Sequence, residues 1–482
     1  VQNNGTPINI DSSTYDLGTL TIRARYDDGS MSSNPSSVFV ANFGQDPTFG
    51  GNKSPSTTYT DANGIGAFYY QPPTGALALC TANLPDFTPT VTGDVPQDYF
   101  KAVTYTGSIV VGNTTGSQNI DMGLLADLIW IKDRNSGTSY NHGLFDSVRG
   151  FDKWVGSNTT SAQDATANAY LSYVSGTTYN IGWSPSINSD THKKIAWCWK
   201  AGGNSNTFNI NGTGYSTYSA LQTANTSLPA SSTSGMIVPS GMSINTDAGF
   251  SIVKYVGDGN TNNSSPSSVP SGLSNVDFAI VKNLDYGAHP NLENNVCGWQ
   301  VYHKDLPSNY NLSLDNINSL LEQNYITSSG GGGIQVSNAN LNLITRTVNR
   351  TWNANVNDSG DNYIAYCWHS VEGYSKFGSY VGNGSADGPF VYCGFRVGWL
   401  MYKRTDTTGN WAILDNKRNL YNVVNNRLFA DEPWVESDLF GVADFTSNGF
   451  KIRTDAGSTN ATNGTYIFMA FAEQPFKFSN AR

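Results

Sequence analysis

The chain runs to 482 residues with a formal net charge of −10, and only 13% of its residues are charged, against about 25% in an ordinary soluble domain. That acidic balance excludes a binder that tracks the nucleic-acid backbone, which needs a basic face to displace counterions from phosphate. No apolar run approaches the roughly 20 residues that span a bilayer, so a soluble chain with no membrane insertion is expected, and the length leaves room for three or four domains of about 100 to 200 residues.

Residues 1–100 form a segment of their own. Leu20 to Tyr26 alternates apolar and polar side chains over a strand length, and Ser37 to Ala41 reads as a second strand. Asn42-Phe43-Gly44-Gln45 follows, and Phe68-Tyr69-Tyr70-Gln71 runs through the turn Pro72-Pro73-Thr74-Gly75 into a last short strand from Ala76. The loop Asp61 to Gly66 has oxygen ligands at alternate positions and Gly at the sixth, but it lacks the remaining oxygens of a calcium loop and reads as an Asx-turn. Pro85, Pro89 and Pro96 then stiffen the connection onward.

From there one pattern occurs three times. It opens with Tyr105-Thr106-Gly107, Tyr255-Val256-Gly257 and Tyr380-Val381-Gly382. An apolar run ending in lysine comes next, at Leu128 to Lys132, Phe278 to Lys282 and Trp399 to Lys403. An aromatic segment closes each copy, at Ile195 to Trp199, Ile364 to Trp368 and Ile467 to Phe471. The copies occupy residues 101–203, 249–378 and 379–482, with a Ser/Thr/Asn/Gly-rich connection over 204–248, too long for a bare linker in a compact protein. Such spacing is whole-domain duplication and excludes a short-period solenoid. Ser313 to Gln323 alone has helical periodicity, and the Gly330 to Gly333 run reads as a loop tip.

The expected fold is all-β, a tandem set of antiparallel β-sandwich modules of jelly-roll or concanavalin type with very little helix. The lysine-terminated and aromatic runs are apolar on consecutive residues, so both faces are covered, as in a central strand of a two-layer sandwich. Five cysteines lack metal spacing, and Cys198 and Cys367 share one repeat position, which suits small buried packing residues. Asp146 with Arg149 matches Asp415 with Arg418, while the second repeat has Val301 to Leu306 instead; strand-end turn chemistry is the preferred reading over a ligand-binding pair. The histidines fall on unrelated positions, so no metal, cofactor or catalytic residue is expected. Ligand contact falls to loop aromatics able to stack on sugar rings, namely Trp352, Trp411, Trp434 and Tyr310.

The third repeat, from Gly373-Tyr374-Ser375-Lys376-Phe377-Gly378 through Asp387-Gly388-Pro389-Phe390 to its aromatic end, resembles a family of tailed-bacteriophage virion proteins of marine type, as do Asn42 to Gln45 and Pro72 to Pro85. These join a SPRY-like module, partial here over residues 1–100, to an uncharacterised repeated β domain. The resemblance implies a structural protein on the virion surface, assembled in the host cytoplasm: a tail fibre, spike or capsid decoration. Other virion proteins are then the expected partners; a homo-oligomer, with a trimer as candidate, and a host surface glycan as candidate external ligand are the hypotheses that go with that role. Two other classes remain open on the residues, a virion-associated polysaccharide-degrading enzyme and a cellular carbohydrate-binding adhesin. New reducing ends on host polysaccharide would reveal the first, and a secretion signal on the full gene the second.

Overall fold

Strands dominate, in line with the all-β expectation, and only three short helices occur among the described residues. The computed structural model describes residues 46–48, 53–78, 83 and 96–473 apart from 136–138, 204, 263, 286–297, 309, 319–320, 323–332, 345–355 and 439–440, together with short strands at Gln2–Asn3 and Thr6–Pro7. None of the helices among these residues is long and apolar enough to cross a membrane. The chain divides into two units, Val1–Leu84 and Pro85–Arg482.

In the first unit the expected strands at residues 20–26 and 37–41 and the motif at 42–45 lie outside the described residues. Tyr59 and Phe68 exchange a pair of backbone hydrogen bonds at 3.0 and 2.8 Å, closing a small hairpin around the Asp61 loop. The Asp61 carboxylate accepts from the amides of Asn63 and Ile65, both at 2.9 Å, and from Ala78 at 2.8 Å. This is an Asx-turn in which one carboxylate oxygen faces amides of the loop itself and the other accepts from Ala78 and the Asn83 side chain.

In the second unit each repeat has a four-strand core sheet with the same order. In the first repeat it comprises β1 (Phe100–Thr106), β2 (Leu128–Asp133), β3 (Gly143–Asp146) and β4 (Lys193–Trp199), ordered β1-β4-β2-β3. The second repeat supplies β5 (Phe250–Val256), β6 (Phe278–Asn283), β7 (Gln300–His303) and β8 (Asn362–Trp368) in the order β5-β8-β6-β7. The third supplies β9 (Ser375–Val381), β10 (Val397–Arg404), β11 (Ala412–Asp415) and β12 (Thr465–Ala472) in the order β9-β12-β10-β11. The closing aromatic strand is therefore central every time, flanked by the Tyr/Gly strand and the lysine strand. A three-stranded sheet covers one face of each, for example Gln118–Asp121, Thr178–Ile181 and Leu171–Ser175 in the first repeat.

Two expectations are corrected. The polar stretch 204–248 is folded into the second repeat: Phe208–Ile210, Thr213–Tyr215 and Gly241–Asn245 join one edge of its core sheet, which with Tyr310–Ser313 and Leu321–Glu322 at the other edge has nine strands, and a helix at Tyr218–Ala224 carries a Thr217 cap on the amide of Ala220 at 3.1 Å. The helix expected from Ser313 does not form over the described residues. Tyr310–Ser313 is a strand whose Leu312 and Ser313 pair with Val301 and Gln300 of β7, so cross-strand pairing overrides the local helical spacing.

Alternation along the core strands sends successive side chains to two different cores. Ala196 and Cys198 of β4, Ala365 and Cys367 of β8, and Phe468 and Ala470 of β12 enter three separate sandwich interiors. Their neighbours Ile195, Trp197 and Trp199, Ile364, Tyr366 and Trp368, and Ile467, Met469 and Phe471 all meet in one common core. There Trp199 stands 5.6 Å from Trp399 with rings perpendicular, and 6.4 Å from Trp368. Edge-to-face pairs of this kind contribute about 0.5–1.5 kcal/mol each beyond their buried area. The apolar runs are double-faced because the second face of each sheet is covered by the other two repeats.

Candidate functional site

The polar residues that recur in the repeats are the candidates for chemistry, and register decides where they point. Lys132, Lys282 and Lys403 stand opposite Ile195, Ile364 and Ile467 at matching positions, and all three are fully buried. Each donates to a backbone carbonyl of another repeat: Lys132 to Pro433 at 3.0 Å, Lys282 to Thr160 at 2.9 Å and Lys403 to Ile317 at 3.0 Å. Burial pushes Lys132 and Lys403 down to about 8, with Asp133 and Asp431 opposing the shift.

The residue just before the last strand of each core sheet repeats the gesture. His142 Nδ1 accepts the Trp130 indole N–H at 2.8 Å, which leaves Nε2–H to donate to the Phe429 carbonyl at 2.9 Å. At the equivalent places Trp299 donates to the Gly156 carbonyl and Trp411 to the Ser313 carbonyl, both at 2.8 Å. Burial holds the His142 imidazole well below its ordinary pKa and lowers His303 to about 4, so both are neutral donors.

The direction of these bonds is the same throughout. The first repeat reaches the third, the third reaches the second, and the second reaches the first. Such head-to-tail interfaces close when the rotation permits, and here three repeats of one chain complete the cycle.

Asp146 and Asp415 lie on the same seams. Each carboxylate accepts two amides of its own turn, Val148 and Arg149 or Lys417 and Arg418, and pairs with the arginine three residues on. A second repeat then reaches in: Tyr366 donates to Asp146 at 2.7 Å and Trp197 to Asp415 at 3.0 Å. In the second repeat His303 occupies the position and its Nε2 faces the Phe468 carbonyl at 3.3 Å.

The Tyr-x-Gly openings have a separate role at the ends of the sandwiches. Tyr105, Tyr255 and Tyr380 donate their hydroxyls to the carbonyls of Ile187, Val356 and Thr459 at 2.7, 2.7 and 2.9 Å. The next residues, Asn188, Asn357 and Asn460, are fully buried and accept the amides of Ser108, Asp258 and Asn383 at 3.0, 3.0 and 2.8 Å. Glycine is required between them because a Cβ on Gly107 would stand 1.9 Å from the Ser189 carbonyl oxygen, and one on Gly257 2.1 Å from that of Asp358. These asparagines were not singled out from the sequence. A signal exists, since each lies seven residues before the isoleucine of its closing aromatic segment.

The aromatic ligand candidates separate. Trp411 is corrected: it is 2% exposed in the common core, with its N–H on a seam, and offers no face to a ligand. Tyr310 is half-buried at the start of its strand. Trp434 is 49% exposed, edge-on to Phe429 with ring centroids 5.7 Å apart. Trp352 lies outside the described residues. Cys198, Cys367 and Cys393 are buried free thiols. No cluster of metal-ligating side chains occurs among the described residues.

A family model described as a domain of unknown function, DUF7483, matches residues 95–228 and again residues 225–475. No curated protein and no solved structure matches the chain.

Proposed function

The chain belongs to the DUF7483 family, and from that premise we propose that it is a phage virion structural protein, an exposed fibre, spike or capsid-decoration component that contacts host surface glycans. The observation that carries the reading is the use of the repeated polar groups. Lysine, histidine, tryptophan and the Asp/Arg pairs are engaged in carbonyl and carboxylate bonds between repeats. A triplicated domain whose shared polar residues join its copies has the design of a rigid scaffold, with variation free to occur in the loops. The low charge and hydroxyl- and amide-rich composition suit a surface that meets other particles without adhering to them.

Antibody raised against the chain, applied to intact particles of the phage that encodes it, tests the reading. Labelling at a defined place on the particle is expected. Particles that carry neither the label nor peptides of the chain by mass spectrometry would remove the virion role.

A further inference from the structure

The first unit holds an open cleft of about 340 Å³ walled by Tyr59, Tyr69 and Tyr70, with Ser56, Thr57 and Gln71 among the tyrosines. We propose that this cleft binds a neutral saccharide. The proposal rests on the reading of the chain as an exposed virion protein and assigns the glycan contact to particular residues.

The hairpin fixes the walls. Tyr59 lies on one arm, and Phe68, its partner across the pair of backbone bonds, is followed by Tyr69 and Tyr70 on the other. The intervening turn is anchored by Asp61, so the arms are set before any ligand arrives. The rings of Tyr69 and Tyr70 meet at 73° with centroids 4.7 Å apart, presenting two planes at a corner. Tyr59 and Tyr70 remain 38% and 41% exposed. Pre-positioned rings lose little conformational entropy on binding.

The lining selects the chemical class. Tyrosine faces stack on the C–H faces of a pyranose, and the phenol, Ser56 and Thr57 hydroxyls and the Gln71 amide supply donors and acceptors for sugar hydroxyls. Among the described residues none that lines the cleft is charged, so a desolvated ionic group on the ligand finds no counter-charge there. The net charge of −10 adds long-range repulsion against a polyanion. The volume lies near the lower end of the roughly 300–1,000 Å³ range of small-ligand pockets, which suits a short stretch of sugar rings.

The full chain is titrated with maltoheptaose, isomaltoheptaose and chitohexaose, and with a hyaluronan hexasaccharide as anionic comparator, by saturation-transfer NMR. At least one neutral oligosaccharide is expected to bind in preference to hyaluronan. Tyr70→Ala and Tyr59→Ala are expected to weaken it about tenfold, and Tyr70→Phe to restore most of the loss by keeping the ring. Absence of binding to all three neutral probes, preference for the anionic one, or unchanged affinity in both alanine variants overturns the proposal. Binding lost in Trp434→Ala but kept in the tyrosine variants places the contact elsewhere and overturns the cleft while leaving the virion reading intact. Tyrosine-dependent binding by a chain absent from virions supports the cleft and removes the virion reading.

Discussion

The ends of the sandwiches and the seams between them are built under different constraints. At the ends the same three residue types recur without exception: a tyrosine hydroxyl, a glycine and a buried asparagine. At the seams one position is His142, Trp299 or Trp411, and another is Asp146, His303 or Asp415. The ends bring backbone against backbone, where a single added carbon collides with a carbonyl. The seams need only one hydrogen bond of suitable reach between repeats: imidazole and indole N–H both supply it at the first position, and at the second an aspartate accepting from Tyr366 or Trp197 is replaced by His303 facing a carbonyl. Residue type recurs where backbone lies against backbone and where only a long amine such as Lys132, Lys282 or Lys403 reaches the neighbouring carbonyl, whereas at the other seam positions the geometry recurs and the residue changes.

The harshest test of that contrast is Gly107→Val. Its side chain meets a carbonyl oxygen already 1.9 Å from the ideal Cβ, and a loss of about 3 kcal/mol or more is expected, in the range of severe overpacking. Calorimetry showing a wild-type melt would refute the backbone argument. Asn357→Ala should follow, at about 1–3 kcal/mol, because the amide of Asp258 loses its acceptor and the fully buried Asn357 site loses its polar partner; chemical denaturation checks it, and a cost no larger than that of an exposed asparagine would count against the closure. A finer comparison pits two tryptophans of the third repeat. Trp411 donates to Ser313, whereas the Trp399 N–H has no hydrogen-bond partner among the described residues. Replacement by Phe should cost roughly 1 kcal/mol more at Trp411 than at Trp399, and equal losses would show that the seam bond contributes nothing.

The smallest effect expected is on pH dependence. Burial lowers Lys132, Lys194 and Lys403 from 10.5 to about 8. Between pH 8 and 9 the unfolded chain therefore binds more protons than the folded one, and stability rises with pH. Through the ordinary thiol value of 9.0, Cys198, Cys367 and Cys393, raised by burial, begin to oppose this rise as their unfolded counterparts ionise, and toward the ordinary phenol value of 10.0 buried tyrosines such as Tyr255, Tyr366, Tyr374 and Tyr380, raised in the same way, reverse it. A shallow stability maximum roughly between pH 9 and 10 should appear in urea midpoints, with a smaller rise in Lys132→Met. A monotonic fall from pH 7.5 would show that these lysines are not desolvated.

Much of the scaffold was legible in the residues. Tyr-x-Gly, the lysine run and the aromatic run mark three copies because they are the parts held by backbone geometry and by double-sided burial. What covered the second face was not legible: an apolar strand reads alike whether a sheet of its own sandwich or a neighbouring repeat lies over it. Trp411 reads as a loop aromatic for the same reason, since its acceptor, Ser313, is distant in sequence. The buried asparagines were hidden by abundance, being three among many in an asparagine-rich chain. Ser313 fell to long-range pairing with Gln300, which local periodicity cannot register. The tyrosine cleft depends on two arms of a hairpin meeting, and only the Asx-turn between them was visible beforehand.

The seam that joins the first repeat to the third also sets a timetable for synthesis. Lys132 needs a carbonyl 301 residues further along the chain, and at a translation rate of about 5–20 residues per second that partner emerges some 15–60 s later. Until then the first sandwich leaves the ribosome with that face incompletely covered: Trp199 meets Trp368 when the second repeat arrives, and both Trp197 and Trp199 meet Trp399 only with the third. The order of manufacture thus places the greatest demand for chaperone cover on the repeat made first.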